Sequence, residues 1–316
     1  MKVYLFIALF CVYSSLFGQS GAHFNPASEF TVQNVKFKSA GIILAGTIFK
    51  PKNPHAALVL VHGSGQEVRM TQMATSLAEQ GLCVMTYDKR GVGESGGVYH
   101  GPEVGTNNID SVNLNLLALD ASAASNTLLA HLPKKDIPIG LMGFSQAGWV
   151  IPLAALKNKM VNFMVIFSGP VVSTLEQLRF QFYTQGDLKF WDTHTEAETR
   201  DHIRNDPDKY KFEPTDPRDA LTKLSIPGLW IFGGKDIQAP VGLSIEHLNE
   251  LKAAGKPFVY ELFPELGHNT AFSKSQEAVS FALKWIKPLL GTRKEIIQEY
   301  GNKWKNIIPS SNSMFD

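Results

Sequence analysis

The chain has 316 residues, 44% of them hydrophobic and 19% charged, which is enough apolar material for one large globular core. Lys and Arg total 30 against 29 for Asp and Glu, and the net charge of +1 leaves no electrostatic footprint for nucleic acid or an anionic membrane surface. The expected partner is a small, neutral or weakly charged molecule.

Met1 and Lys2 precede an apolar run over residues 3–17 and then Gly18-Gln19-Ser20. One basic residue, a short apolar stretch and a small residue at its end read as a secretory signal cleaved after Gly18, and the run is shorter than the ~20 residues that span a bilayer. The mature protein is therefore expected to be exported, periplasmic or secreted, with no stable membrane insertion after cleavage. Cys11 lies inside the run behind Ala8-Leu9-Phe10, without the small residue expected before a lipidated cysteine. Cys83 then remains alone, without a partner for an internal disulfide, and in Leu82-Cys83-Val84-Met85 it reads as a buried strand residue.

Residues 31–37 and 42–50, with Ala40-Gly41 between them, pattern as a hairpin. Residues 57–61 form a continuous apolar run, the mark of a strand buried on both faces, and lead into His62-Gly63-Ser64-Gly65. A helix over 70–80 stops at Gly81, and a strand over 82–87 ends in the glycine-rich Asp88-Lys89-Arg90-Gly91-Val92-Gly93-Glu94-Ser95. A long helix is predicted over 110–131, a strand over 139–142, a helix over 145–156 and a strand over 163–167. Strands over 228–232 and 258–263 flank a helix over 241–254, and the last strong helix covers 275–290. This alternation argues for a parallel sheet covered on both faces after an antiparallel start. Between Pro170 and Pro227 the rhythm breaks, with a helical pattern over 172–185 and polar sequence after it; it reads as a helical cap or as a solvated excursion. The expected organisation is a signal peptide (1–18), a core (19–170 and 224–290), a cap insertion (171–223) and a C-terminal extension (291–316) with a helix near 293–305.

Gly143-Phe144-Ser145-Gln146-Ala147-Gly148 stands between an apolar strand and a helix, where a sharp turn can lift a serine hydroxyl clear of the backbone. Ala147 replaces the second glycine of the strict Gly-x-Ser-x-Gly pattern, and a plain helix N-cap serine is the competing reading. Asp236 in Gly233-Gly234-Lys235-Asp236 and His268 in Gly267-His268-Asn269 each follow a predicted strand, so both fall at the carboxyl ends of the sheet, where open α/β sheets build their sites. Ser145 is thus the candidate nucleophile, His268 the general base and Asp236 the acid that orients it. The loop after residue 167 offers only Ser168-Gly169-Pro170, with its first acid at Glu176. The backbone N–H groups of Ser64 and Gln146 are the candidate oxyanion hole, and His62 reads as a structural turn residue. No His, Cys and carboxylate grouping has metal-ligand spacing, and no cofactor is expected.

Through these segments, over residues 37–290, the sequence resembles the α/β-hydrolase superfamily, and within it exported esterase-like proteins and relatives of prolyl oligopeptidase-type peptidases. The resemblance implies the α/β-hydrolase fold, a mostly parallel twisted sheet with helices on both faces and a small helical cap insertion. It gives the Asp88 to Ser95 segment a structural rather than catalytic role. The activity it implies is a serine hydrolase, a carboxylesterase acting on a small or medium acyl substrate through an acyl-enzyme. An aminopeptidase or oligopeptidase-like amide hydrolase and a non-catalytic binding protein on the same fold are the alternatives. Phe180, Phe182, Tyr183 and Trp191 read as pocket walls or as the core of the cap itself.

Overall fold

The structure is a computed structural model that describes residues 30–101, 108–132, 137–207 and 212–290. The expected signal segment and cleavage site, Cys11 and the helix expected near 293–305 lie outside the described residues. Among the described residues, no helix is long and apolar enough to cross a membrane.

Among the described residues, eight strands form one sheet: β1 (Phe30–Ser39), β2 (Ile42–Pro51), β3 (Ala56–Val61), β4 (Leu82–Tyr87), β5 (Ile139–Phe144), β6 (Val161–Phe167), β7 (Gly228–Gly233) and β8 (Phe258–Phe263). Their spatial order is β1-β2-β4-β3-β5-β6-β7-β8. The β1/β2 and β2/β4 pairs are antiparallel and every later pair is parallel. The parallel strands carry continuous apolar sequence because helices cover both sides. In β3, Ala57, Val59 and Val61 enter one core while Ala56, Leu58 and Leu60 enter the other. Leu58 and Leu60 are fully buried, each contributing about 1.5–3 kcal/mol through apolar area removed from water.

On the first face pack α2 (Ser111–His131), α3 (Ala147–Lys157) and α8 (Val241–Ala253); on the second pack α1 (Thr71–Glu79) and α9 (Glu277–Ile286). The 21-residue α2 starts where Asp110 accepts the Val112 N–H at 2.9 Å, a side-chain N-cap. The helix expected over 275–290 is shorter than its pattern: α9 gives way at Lys287 to a 3-10 turn that carries Pro288. Proline supplies no N–H and so removes one hydrogen bond of the helical ladder. Cys83 is buried in β4, where desolvation pushes its thiol up to about 12.

Among the described residues, four helices lie between β6 and β7: α4 (Thr174–Thr184), α5 (Phe190–Thr193), α6 (Glu196–Asn205) and α7 (Arg218–Leu221). α4 and α6 each begin with a reciprocal capping box, Ser173 with Glu176 and Thr195 with Glu198. The polar sequence after residue 185, within the expected helical cap, therefore contains its own helix start signal.

Candidate active site

Ser145 follows β5 directly, with Gln146 between it and α3, and has φ of 52°, a left-handed conformation that costs a non-glycine residue about 1–2 kcal/mol. The helix predicted from Ser145 begins two residues later, because the chain must reverse at the serine before it can coil. Two bonds hold the reversal: the Ser145 N–H donates to the Phe167 carbonyl (2.9 Å), and the Gly148 N–H donates to the Ser145 carbonyl (2.8 Å). A Cβ added at Gly143 would lie 2.5 Å from the Ala147 Cβ and 2.8 Å from the Val61 carbonyl oxygen. The Ala147 methyl thus fills the space that a side chain at Gly143 would need. Gly148 serves a different neighbour, since a Cβ there would stand 2.7 Å from the Pro170 nitrogen in the loop after β6.

Asp236 lies in the loop after β7 and is 1% exposed. Its Oδ1 accepts the N–H groups of Gln238 (2.7 Å) and Ala239 (2.9 Å), and its Oδ2 lies 2.8 Å from His268 Nδ1. A carboxylate facing Nδ1 keeps the proton on that nitrogen and leaves the Nε2 lone pair to act. His268 Nε2 is buried and has no hydrogen-bond partner among the described residues. Ser145 Oγ is not bonded to it; such contacts are often loose in a protein without substrate.

The loops that carry these residues are joined sideways. The Ser168 N–H donates to the Ile231 carbonyl (2.8 Å), the Ser168 and Thr270 hydroxyls are 2.8 Å apart, and the Lys235 N–H donates to the Leu266 carbonyl (2.8 Å). Phe144, directly before the serine, packs its ring 5.1 Å from that of Phe272, four residues beyond His268. Ser168, the residue at the alternative acid position, is buried with φ of 50° and spends its hydroxyl on Thr270; Glu176 spends its carboxylate on the α4 capping box.

The His62-Gly63-Ser64-Gly65 loop lies against the serine: a Cβ built on Gly63 would be 3.8 Å from the Ser145 Cβ. Among the described residues the backbone N–H groups of Ser64 and Gln146 donate to no acceptor. Each is available to a ligand. His62 is buried edge-on to Tyr87, with ring centroids 4.7 Å apart. Burial, reinforced by the nearby Lys89 charge, lowers its pKa to about 3, so it is a neutral structural ring rather than a second base. Glu67 Oε2 accepts the Gly63 N–H (3.2 Å), and burial raises the pKa of that carboxyl.

The glycine-rich loop after β4 is mostly scaffold. Asp88 accepts bonds from the Arg69 side chain and from the main-chain N–H groups of Arg69 and Glu94. Arg90 makes a two-pronged pair with Asp120 of α2 (2.5 and 3.0 Å). Lys89 is different: this 2% exposed lysine points at the site, with Nζ 2.5 Å from the Gly63 carbonyl oxygen, 3.1 Å from Gln146 Oε1 and 3.3 Å from the Gly65 carbonyl oxygen. Sequence reasoning assigned the whole segment to scaffold and passed over it. Its one available signal was a lysine placed two residues after the largely apolar β4.

The helices between β6 and β7 dock on the loop of Asp236. Trp191 Nε1 donates to the Asp236 carbonyl (2.8 Å), Thr184 Oγ1 to the Ile237 carbonyl (2.8 Å), and the side-chain amides of Gln177 and Gln181 to the Gln238 carbonyl. Phe180 and Tyr183 both meet the ring of Phe190, and Phe180 stacks on Trp191. These aromatics form the core of the insertion. Among the described residues, no group of three or more His, Cys, Asp or Glu could hold a metal ion.

A family model described as serine aminopeptidase, S33, matches residues 52–195. A search of curated protein sequences finds no match. Among solved structures, an esterase from Pyrococcus furiosus superposes with a TM-score of 0.60 at 18% identity, covering 83% of this chain and 92% of that one. An acylaminoacyl peptidase from Pyrococcus horikoshii superposes with a TM-score of 0.54 at 17% identity, covering 91% of this chain and 43% of that one. The shared feature is the fold.

Proposed function

The chain has the α/β-hydrolase fold, and on that basis we propose that it is a serine hydrolase cleaving a carboxylic ester of a small or medium acyl substrate through an acyl-enzyme. The observation that carries this reading is the pairing of a left-handed Ser145 at the end of β5 with a His268 whose Nδ1 is held by Asp236 and whose buried Nε2 has no partner among the described residues. A strained serine and an oriented imidazole at one end of a sheet serve no evident packing purpose.

In this mechanism His268 Nε2 takes the Ser145 proton as Oγ attacks the acyl carbon, and the carbonyl oxygen becomes an oxyanion received by the N–H groups of Ser64 and Gln146. The tetrahedral intermediate collapses as His268 protonates the leaving alcohol. Water, deprotonated by His268, then releases the acid and restores Ser145. Asp236 holds the tautomer and stabilises the imidazolium.

The match to a serine aminopeptidase model and the likeness to an acylaminoacyl peptidase favour amide hydrolysis as the second reading. Ester cleavage is preferred because peptidases that recognise chain termini present charges to the substrate. The charged groups at the Gly63 loop, Glu67 and Lys89, are turned inward onto main-chain groups and Gln146.

Labelling of purified protein with a fluorophosphonate, wild type beside Ser145→Ala, tests the nucleophile, and a panel of p-nitrophenyl esters and aminoacyl anilides on the same samples separates the two readings. Ser145-dependent labelling with ester turnover is expected. Well-folded wild type that takes no label overturns the proposal in favour of a non-catalytic binding protein.

A further inference from the structure

Lys89 has no part in the mechanism above, yet it is among the most deeply buried charges near the serine. A lysine at 2% exposure normally requires a full set of acceptors, because an uncompensated buried ammonium costs several kcal/mol of desolvation. An ammonium has three N–H donors, and three oxygens surround this one: the carbonyls of Gly63 and Gly65 and the side chain of Gln146. It also lies 5.7 Å from the centroid of the Tyr99 ring, whose hydroxyl donates to the Ser64 carbonyl at 3.0 Å. The carbonyls of Gly63, Ser64 and Gly65 are therefore all tied down on the Lys89 and Tyr99 side.

The Gly63 carbonyl and the Ser64 N–H belong to one planar trans peptide unit and point in opposite directions. A cation bonded to that oxygen fixes where the N–H is aimed, and by polarising the peptide it makes the N–H a better donor. The same cation holds the side chain of Gln146, which is also tethered by its amide nitrogen to the Asn108 carbonyl at 2.5 Å. Lys89 thus bonds both the peptide unit that carries the Ser64 N–H, through the Gly63 carbonyl, and the side chain of Gln146.

We propose that Lys89 is a positioning residue that aligns the Ser64 and Gln146 N–H groups into one oxyanion site, by bonding the Gly63 carbonyl and the Gln146 side chain from behind. This rests on the serine hydrolase reading. It adds to that reading a group that never touches substrate but whose loss weakens the transition state more than the ground state. Removing one direct oxyanion donor in a comparable site costs about 10²–10³ in kcat, so misalignment through Lys89→Met is expected to cost roughly 10- to 100-fold.

The test uses the full chain with wild type, Lys89→Met, Lys89→Gln and Lys89→Arg. After thermal melts establish folding, kcat and KM are measured on a p-nitrophenyl ester, together with inhibition constants for a trifluoromethyl ketone and the matching unfluorinated alcohol. The ketone adds to the serine and forms an oxyanion, whereas the alcohol binds only the ground state. In Lys89→Met, kcat is expected to fall with KM within about threefold, and affinity for the ketone is expected to weaken in parallel while that for the alcohol stays unchanged. Lys89→Gln, which can still donate to Gly63, is expected to lie between Lys89→Met and wild type. A folded Lys89→Met with near wild-type kcat, or equal loss of ketone and alcohol binding, overturns the proposal. So does failure of both Lys89→Met and Lys89→Gln to fold, since Lys89 is then a folding residue. Wild type that takes no fluorophosphonate label fails the serine hydrolase reading itself, before any Lys89 variant is compared.

Discussion

Trp191 donates its indole N–H to the main-chain carbonyl of Asp236 at 2.8 Å, while the carboxylate of the same aspartate holds His268 at 2.8 Å. One residue is therefore gripped from the insertion through its backbone and presents its side chain to the candidate base. Together with Thr184, Gln177 and Gln181, Trp191 makes the insertion a brace for the acid loop rather than a detached cover.

Replacing Trp191 by Phe keeps the ring packing on Phe180 and Phe190 and removes one hydrogen bond, a loss of about 1 kcal/mol. Ester turnover should fall roughly three- to tenfold, on the basis of that energy, with KM little changed. A folded variant with unchanged kcat would show that the acid loop holds its place without the indole.

Asp236→Asn is the sharper probe of the same loop. The Asn oxygen can still accept the Gln238 and Ala239 N–H groups, so a melting curve close to wild type is expected. Its amide would face His268 Nδ1 with N–H, which forces the wrong tautomer, and kcat should drop by about 10⁴. Steady-state kinetics on an ester that show only a small loss would remove Asp236 from the site.

At the turn, Gly143→Ala should abolish fluorophosphonate labelling or folding, because the added methyl meets the Ala147 methyl and the Val61 carbonyl. Ala147→Gly is expected to retain labelling while lowering stability by about 0.5–1 kcal/mol, the ordinary cost of glycine in a helix. Reversed outcomes in the labelling and denaturation experiments would mean that Ala147, not Gly143, sets the turn.

His62 links stability to pH. Its pKa falls from 6.5 in the unfolded chain to about 3 in the folded protein, through burial first and the Lys89 charge second. The unfolded state thus takes up a proton that the folded state refuses. Its contribution is complete above pH 6.5 and is lost progressively as pH falls toward 3, in total on the order of 5 kcal/mol by linkage. His62→Phe retains a ring against Tyr87 and cannot titrate, so urea denaturation between those pH values should show a shallower acid slope than wild type. An identical slope would place the acid sensitivity elsewhere.

The fold was legible because its strands are continuous apolar runs ended by glycine-rich turns, and β3, β4 and β7 lie within a residue of where those runs stop. That Ser145, Asp236 and His268 follow strands at one end of the sheet was legible from the apolar runs before them. Three features were read in part or not at all. The sharp turn at Ser145 was read, but its helix was started two residues early because a serine before an apolar helical stretch looks helical. Pro288 ended α9 early against a strong apolar periodicity. Lys89 and Trp191 act through main-chain carbonyls 24 to 45 residues away in sequence, and a side chain that bonds backbone leaves no complementary residue type to find.

The sideways bonds from Ser145 to Phe167, from Ser168 to Ile231 and between Ser168 and Thr270 continue the lateral pairing of β5, β6 and β7 past the ends of the strands. Loops at this edge consequently inherit the rigidity of the sheet, and the entropy of ordering them is met during folding rather than on each encounter with a substrate. The ring of Phe272, 58% exposed beside Phe144, stands outside these lateral bonds and can change without disturbing the strand ends that carry Ser145, Asp236 and His268.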